Sequence, residues 1–379
     1  MLRGLILEVL YENILQIQWQ QVVMWVIGGV LIYLAIKRDM EPALLLPIGF
    51  GAILVNLPLS GAVTQIYDGV AEIGIVDELF NSGIANELFP LLLFVGIGAM
   101  IDFGPLLSNP KLMLFGAAAQ FGIFFTFSMA ALFGFDINDA ASIGIIGAAD
   151  GPTSIFVANF LQSNYLGPII VAAYSYMALV PIVQPPIIKL ITTKKERMIR
   201  MSNVTKEISQ TTKILFPIIV TVIAGLVSPR SVALIGFLMF GNLIRECGVL
   251  KSLSETAQNA LANLITLLLG ITIASKMQAE MFINPQTLLI LCLGLIAFIF
   301  DTFGGVMFAK FLNLFLKNKI NPMIGAAGIS AFPMSARVVH KMGLQEDDQN
   351  FLLMHSIGVN VSGQIASVIA GGLIISFLG

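Results

Sequence analysis

Apolar residues run continuously along this chain, in blocks separated by short polar interruptions, rather than alternating with polar ones. Blocks at 22–36, 42–59, 88–107, 112–134, 166–190, 214–228, 231–247, 261–279, 287–316 and 350–378 are the candidates to cross a hydrocarbon layer of about 30 Å. Continuous runs of this kind predict helices, because in lipid each backbone N–H and C=O must be satisfied within its own segment or in a closed barrel. Two further segments, 138–161 and 320–341, are Gly-rich, less apolar and interrupted by proline, and predict broken or re-entrant elements. Amphipathic connectors fill 61–87 and 249–260, and the opening "MLRGLILEVLYENILQIQWQQ" reads as an interfacial amphipathic helix. That opening lacks a small-residue cleavage site and carries Glu8 and Glu12, unlike a cleaved leader. The pattern predicts an all-α polytopic membrane protein with about ten transmembrane helices.

Composition agrees: 57% of the 379 residues are hydrophobic and 11% charged, against about 25% charged in soluble domains. Charge placement orients the chain. The longest polar loop, 192–213, holds Lys194, Lys195, Arg197, Arg200, Lys206 and Lys213, and the positive-inside rule places it in the cytoplasm. Connector 61–87 carries Asp68, Glu72, Asp77, Glu78 and Glu87 without Lys or Arg, which suits the outside. Alternation of sides then requires each broken segment to enter and leave on one side, 138–161 from outside and 320–341 from the cytoplasm. Cys247 and Cys292 suggest neither a disulfide framework nor a metal site. No GxxxxGK[ST] loop occurs, so ATP hydrolysis on this chain is not expected, and neither is a nucleic-acid partner.

Weak internal matches recur in one order. "PIGFGAILVNLPLSG" (47–61) resembles "LIGFLMFGNLIRECG" (234–248), "LLSNP" (106–110) resembles "MFINP" (281–285), and "IGAADGP" (146–152) resembles "IGAAGIS" (324–330). Their offsets are 187, 175 and 178 residues. With an odd number of spans per half, the halves are expected to be inverted in the membrane. Such repeats, with broken segments meeting near the midplane, mark alternating-access carriers. The predicted division is an N-terminal repeat (1–190), a basic cytoplasmic loop (191–213) and a C-terminal repeat (214–379).

Asp150 lies in "GIIGAADGPTSIFVANF" (144–160), directly before Gly151–Pro152. A carboxylate at that depth costs roughly 2.5–3.5 kcal/mol and is a site candidate by default. With carbonyls freed by the break it suits a hard cation, or a proton in its place; alternatively it only caps the following half-helix. In "NPMIGAAGISAFPMSARVVHKMG" (321–343), Asn321, Ser330 and Ser335 offer neutral oxygens and Gly325 permits close approach. Arg337, a turn beyond Pro333, is suited to a two-pronged carboxylate contact or serves as a positive-inside anchor. Asp301 is the second intramembrane carboxylate, or pairs with Lys310 or Lys276. Tyr176 and Asn242 are further polar residues within spans, while Asn360 and Ser362 face the breaks or form a small-residue packing face.

At these motifs the sequence resembles the β subunits of biotin-dependent sodium-pumping decarboxylases, the family acting on oxaloacetate, methylmalonyl-CoA, glutaconyl-CoA and malonate. "GIIGAADGPTSIF" and "NPMIGAAGISAFPMSARV" look like its two signatures, and the resemblance covers essentially the whole chain. It implies a subunit of a bacterial cytoplasmic (inner) membrane that decarboxylates carboxybiotin, consumes a proton and drives sodium outward. It implies Asp150, Arg337 and Tyr176 as catalytic, with carboxybiotin on Arg337. Sodium would bind at Asp150, Asn321, Gly325, Ser330, Tyr176 and Asn360, with Asp301, Asn242 and Ser362 as secondary candidates. Sodium and biotin, the latter carried by a partner, are the implied cofactors. Implied partners are a biotin carrier subunit, a carboxyltransferase α subunit, a small membrane γ/δ subunit and further copies of this chain, the family's manner implying a trimer. The competing reading is a sodium-coupled secondary transporter of an organic anion.

Overall fold

The computed structural model describes residues 14–67, 69–201, 207–227 and 229–378. The start of the expected N-terminal amphipathic helix, with Glu8 and Glu12, lies outside the described residues, as do Asp68 and Lys206. Two compact units form, one from the chain up to Phe89 together with Asn263–Leu289, the other from Pro90–Ala262 and Ile290 onward. Each unit draws on both sequence halves.

In the first unit, α1 (Trp19–Arg38) and α2 (Pro42–Val55) form a pair joined by a tight turn. Lys37 and Arg38 end α1, where cations suit the negative end of the helix dipole. A two-stranded antiparallel ribbon follows, Gln65–Tyr67 with Val70–Glu72. Asn56 clamps the later segment: its amide donates to the Met277 carbonyl at 2.8 Å and its oxygen accepts from Ala279 N–H at 2.7 Å.

The chain continues through α3 (Leu88–Met100), α4 (Met113–Ala119) and α5 (Phe121–Leu132). Next come α6 (Ile137–Gly144), α7 (Gly151–Phe160) and α8 (Leu166–Ile191). After the basic loop follow α9 (Gln210–Val227), α10 (Val232–Glu246) and α11 (Lys251–Lys276). The 31-residue α12 (Pro285–Phe315), α13 (Met334–Glu346) and α14 (Leu353–Leu378) complete the described chain. Seven described helical runs are long and apolar enough to cross a membrane, or eight if the bent pair Ile75–Ile84 and Leu88–Met100 is one span. The other apolar helices are shorter, α2 among them with 14 residues. The protein is thus an all-α, multi-pass membrane protein. One boundary differs from expectation: 249–260 is no separate connector, because a π turn at Ala257–Leu261 carries the helix on into the span.

In the second unit α14 is a central column. It packs against α4, α7, α13 and the segment Pro322–Gly328, and Val359, Val361, Ile365 and Val368 on it are buried.

Candidate functional site

Each proline-interrupted segment is a re-entrant hairpin. In the first, α6 continues as a tighter 3₁₀ turn at Ile145–Ala148, Ala149 takes a left-handed conformation (φ 51°), and Asp150 is extended before α7 restarts the helix. Pro152 sits in the first turn of α7, where its missing N–H costs nothing but the incoming helix could not have continued. The two stems return to one end. Asp139 accepts from Ser163 Oγ at 2.7 Å and from Asn164 N–H at 2.9 Å.

In the second hairpin, Pro322–Gly328 is 3₁₀, Ile329 is extended, and α13 leads back. Its stems are also tied together: the side-chain amides of Asn321 and Asn350 each donate to the Arg197 carbonyl at 2.8 Å. Helix α8 separates the two bases. It starts beside Ser163–Asn164 and ends just before Arg197, and its 26 residues span about 39 Å. The hairpins therefore enter from opposite ends of the second unit. Their tips meet, with Ser330 N–H donating to the Ala148 carbonyl at 2.9 Å. Ser330 Oγ then bonds the Gly363 carbonyl of α14 at 2.9 Å. Close approach is enforced at Gly325, where a Cβ would collide with the Gly305 carbonyl of α12.

Asp150 stands at this meeting point and is 3% exposed. Its Oδ1 accepts from Thr153 N–H at 3.4 Å, the bond of a helix cap. Its Oδ2 accepts from Thr153 Oγ1 at 2.7 Å and from Gln364 Nε2 and Ser367 Oγ, each at 2.9 Å. Capping thus explains one bond only; two donors come from α14, more than 200 residues on. Asn360, one turn before Gln364, donates to the Ala327 and Ile329 carbonyls at 3.1 and 2.7 Å, while its own Oδ1 is buried without a hydrogen-bond partner. The Tyr174 hydroxyl is likewise buried and unpartnered, and its ring packs where a Gly151 Cβ would be.

The structure thus brings Asp150, Ser330, Gly325 and Asn360 around the two tips. Tyr176 faces elsewhere, its hydroxyl donating to the Leu291 carbonyl of α12. Asn321 lies at the base of its hairpin rather than the tip, bonded to the Arg197 and Ile199 carbonyls and, through Oδ1, to Met323 N–H at 3.0 Å. Arg337 is exposed in the first turn of α13. It precedes the last residue of α13 by nine residues, about 13 Å of helix. Asp301 pairs with neither expected lysine: Lys310 bonds Glu196 at 3.1 Å, and Lys276 lies over the Phe80 ring. Instead its Oδ1 accepts from Gly122 N–H at the start of α5, and its Oδ2 lies against Gly147. Asn242 and Arg245 satisfy carbonyls at the end of α3, through Ile101 at 2.9 Å and Met100 at 2.6 Å. Ser362 bonds its own helix at the Val359 carbonyl.

Sequence reading did not select Gln364, Ser367, Thr153 or Tyr174. A signal existed for the first two: Asn360, Gln364 and Ser367 follow the i, i+4, i+7 spacing of one helix face.

Comparison with known proteins converges. The family model described as Na+-transporting oxaloacetate decarboxylase beta subunit matches residues 20–378. The methylmalonyl-CoA decarboxylase subunit beta of Propionigenium modestum is 48% identical over 375 residues, covering 94% of this chain and 95% of that protein. The glutaconyl-CoA decarboxylase subunit beta of Acidaminococcus fermentans is 48% identical over 361 residues, covering 95% and 94%. The oxaloacetate decarboxylase beta chain of Klebsiella pneumoniae is 44% identical over 412 residues, covering 94% and 95%. With this coverage, and with both hairpin motifs inside the matched region, the chain belongs to the family of Na+-transporting decarboxylase beta subunits.

Proposed function

We propose that this chain decarboxylates carboxybiotin presented by a partner subunit and couples that step to outward movement of sodium, with Asp150 as the exchange point between sodium and the proton consumed. The observation that carries this reading is the Asp150 carboxylate, buried where the two hairpin tips meet and held by Thr153, Gln364 and Ser367. Hydroxyls can donate to a carboxylate or turn a lone pair to a cation. Thr153 and Ser367 can therefore serve both states of the site. The unpartnered oxygens of Asn360 and Tyr174 are suited to complete an all-oxygen set for a hard cation. Ser330, with backbone at Gly325, is read as a second sodium position, and Tyr176, turned to the Leu291 carbonyl, as part of the proton path. Asp301 and Ser362 line the surrounding helices, and Asn242 supports the end of α3.

Arg337 would hold the carboxylate of carboxybiotin. It stands in the first turn of a 13-residue helix, so guanidinium and helix dipole both favour an anion there. The positive-inside rule applied to the basic loop supports a cytoplasmic approach to Arg337. Membership of a multi-subunit decarboxylase family then supports, as partners, a biotin carrier, a carboxyltransferase α subunit, a small membrane γ/δ subunit and further copies of the chain. A bacterial cytoplasmic membrane is the expected location, and the halves 1–190 and 214–379 are read as inverted repeats around the 191–213 loop.

The test is breakdown of free carboxybiotin by the reconstituted complex against sodium concentration. Sodium-stimulated breakdown, abolished by Asp150→Asn, is expected. Breakdown indifferent to sodium defeats the coupling; an Asp150→Asn complex that still responds to sodium defeats the site assignment.

A further inference from the structure

The segment Thr192–Arg200, which leaves α8 at its loop end, lies as a strap across the base of the second hairpin. The Arg197 carbonyl receives both stems, from Asn321 and from Asn350, each at 2.8 Å. Its guanidinium bonds Glu346 Oε1 at the end of α13 at 2.6 Å and the Thr192 carbonyl at 2.6 Å. Both members of the Arg197–Glu346 pair are shielded, with side chains 12% and 15% exposed. At the rim, Arg200 grips Asp347 in two-pronged fashion at 2.6 and 2.9 Å and reaches Gln349 at 2.8 Å. Glu196 anchors the other edge through Lys310 of α12 at 3.1 Å, which also bonds the Ile191 carbonyl at 3.0 Å. One residue thus joins three chain segments: its carbonyl takes both stems of the hairpin, and its side chain adds a second bond to the later stem. Higher along α8, Gln184 bonds the Ala326 carbonyl at 2.6 Å and Ser335 Oγ at 2.8 Å, so helix and hairpin are tied at two levels.

We propose that Arg197 is a positioning residue for sodium coupling: it keeps the stems of the second hairpin clamped to α8 throughout the cycle, which holds the Ser330 tip on the first hairpin beside Asp150. The strap is therefore a fixed joint, and the opening that admits sodium takes place elsewhere. This rests on the sodium-pump reading above. A loosened base leaves the tips engaged for only part of the time, and apparent sodium affinity falls by that fraction. The rate at saturating sodium remains.

The experiment uses the reconstituted complex. Arg197→Ala is expected to raise the sodium concentration for half-maximal carboxybiotin breakdown about tenfold or more, since charge-assisted hydrogen bonds are lost, with little change at saturation. The charge swap Arg197→Glu with Glu346→Arg is expected to recover much of the affinity. An unshifted sodium response in Arg197→Ala overturns the proposal, and so does a fall in saturating rate with no recovery in the swap. A second arm does not depend on how well Arg197 variants fold. Arg200→Cys and Asp347→Cys are joined by a short thiol cross-linker, in a background with Cys247 and Cys292 replaced by alanine. Continued sodium-stimulated turnover after cross-linking supports a fixed joint; arrest by the cross-link, reversed when it is cleaved, shows that the strap must open and overturns it. A wild-type complex indifferent to sodium defeats the pump reading instead, so the two failures are told apart.

Discussion

Asp150 differs from an ordinary buried helix cap in the number and origin of its donors. A cap needs Thr153 alone; Gln364 and Ser367 are additional, and both act on Oδ2. A hydrogen bond to a charged group contributes about 1.5–3 kcal/mol. If these donors orient the carboxylate for sodium, Gln364→Ala or Ser367→Ala should weaken apparent sodium affinity by roughly tenfold or more. Sodium titration of carboxybiotin breakdown checks this, and an unaltered half-saturation in both variants would remove them from the site. Tyrosine presents a similar contrast. Family resemblance points to Tyr176, whereas the ring against Gly151 is Tyr174 and Tyr176 bonds Leu291. Tyr174→Phe and Tyr176→Phe are therefore expected to act differently: the first on sodium affinity, the second on rate or pH response at saturating sodium.

The hairpins explain what the sequence could and could not disclose. A carboxylate beside Gly–Pro in an apolar run is rare, so Asp150 and the break around it were legible. So was the second break, from its proline and paired glycines. Gln364 and Ser367 carried only their shared spacing with Asn360, and polar residues on one helix face look the same whether they pack or bind. Loop charges pointed to each segment returning to its own side; the bonds that hold the stems together, Asp139 with Ser163 and Asn321 and Asn350 on one Arg197 carbonyl, join distant residues that no local pattern pairs. At the hairpin's contact with α12, Gly325→Ala should cost about 1–3 kcal/mol by overpacking, read as a lowered melting temperature of the purified complex; an unchanged melting temperature would deny the close approach.

The strap carries a pH signature. Hydrogen bonding from Arg200 holds the Asp347 carboxyl below its ordinary value. Partial burial pushes Glu196 upward, but bonds from Thr193 and Lys310 outweigh it, so Glu196 also sits low. Acids depressed on folding stabilise the folded state above their unfolded pKa and lose that contribution as pH falls through the folded value. Hydrogen-exchange protection of the strap, corrected for intrinsic rates, should thus hold from neutral pH to about 5 and decline only below about 4. A decline between about pH 6 and 7 would point to other groups.

Taken whole, the molecule is a multi-pass helical protein whose second unit brings two re-entrant hairpins tip to tip from opposite ends. Such a layout puts one buried carboxylate where the two tips meet. It explains how a carboxylate, costly in isolation, is retained: donors from both the first hairpin and α14 satisfy it. Arg337, exposed in the first turn of α13, is the residue proposed to receive the carboxylate from the basic-loop side. Element types, the two breaks and the family were readable along the chain. The division into two compact units was not, because the first unit joins the N-terminal region to Asn263–Leu289 across the whole of Pro90–Ala262.

The most direct measurement is radioactive sodium uptake into inverted vesicles containing the reconstituted complex, started by carboxybiotin. Wild-type vesicles should accumulate sodium in step with decarboxylation, and Asp150→Asn vesicles, matched for assembled protein, should accumulate none. Sodium accumulation by Asp150→Asn at the wild-type rate, or decarboxylation by the wild type with no sodium movement, would contradict the account.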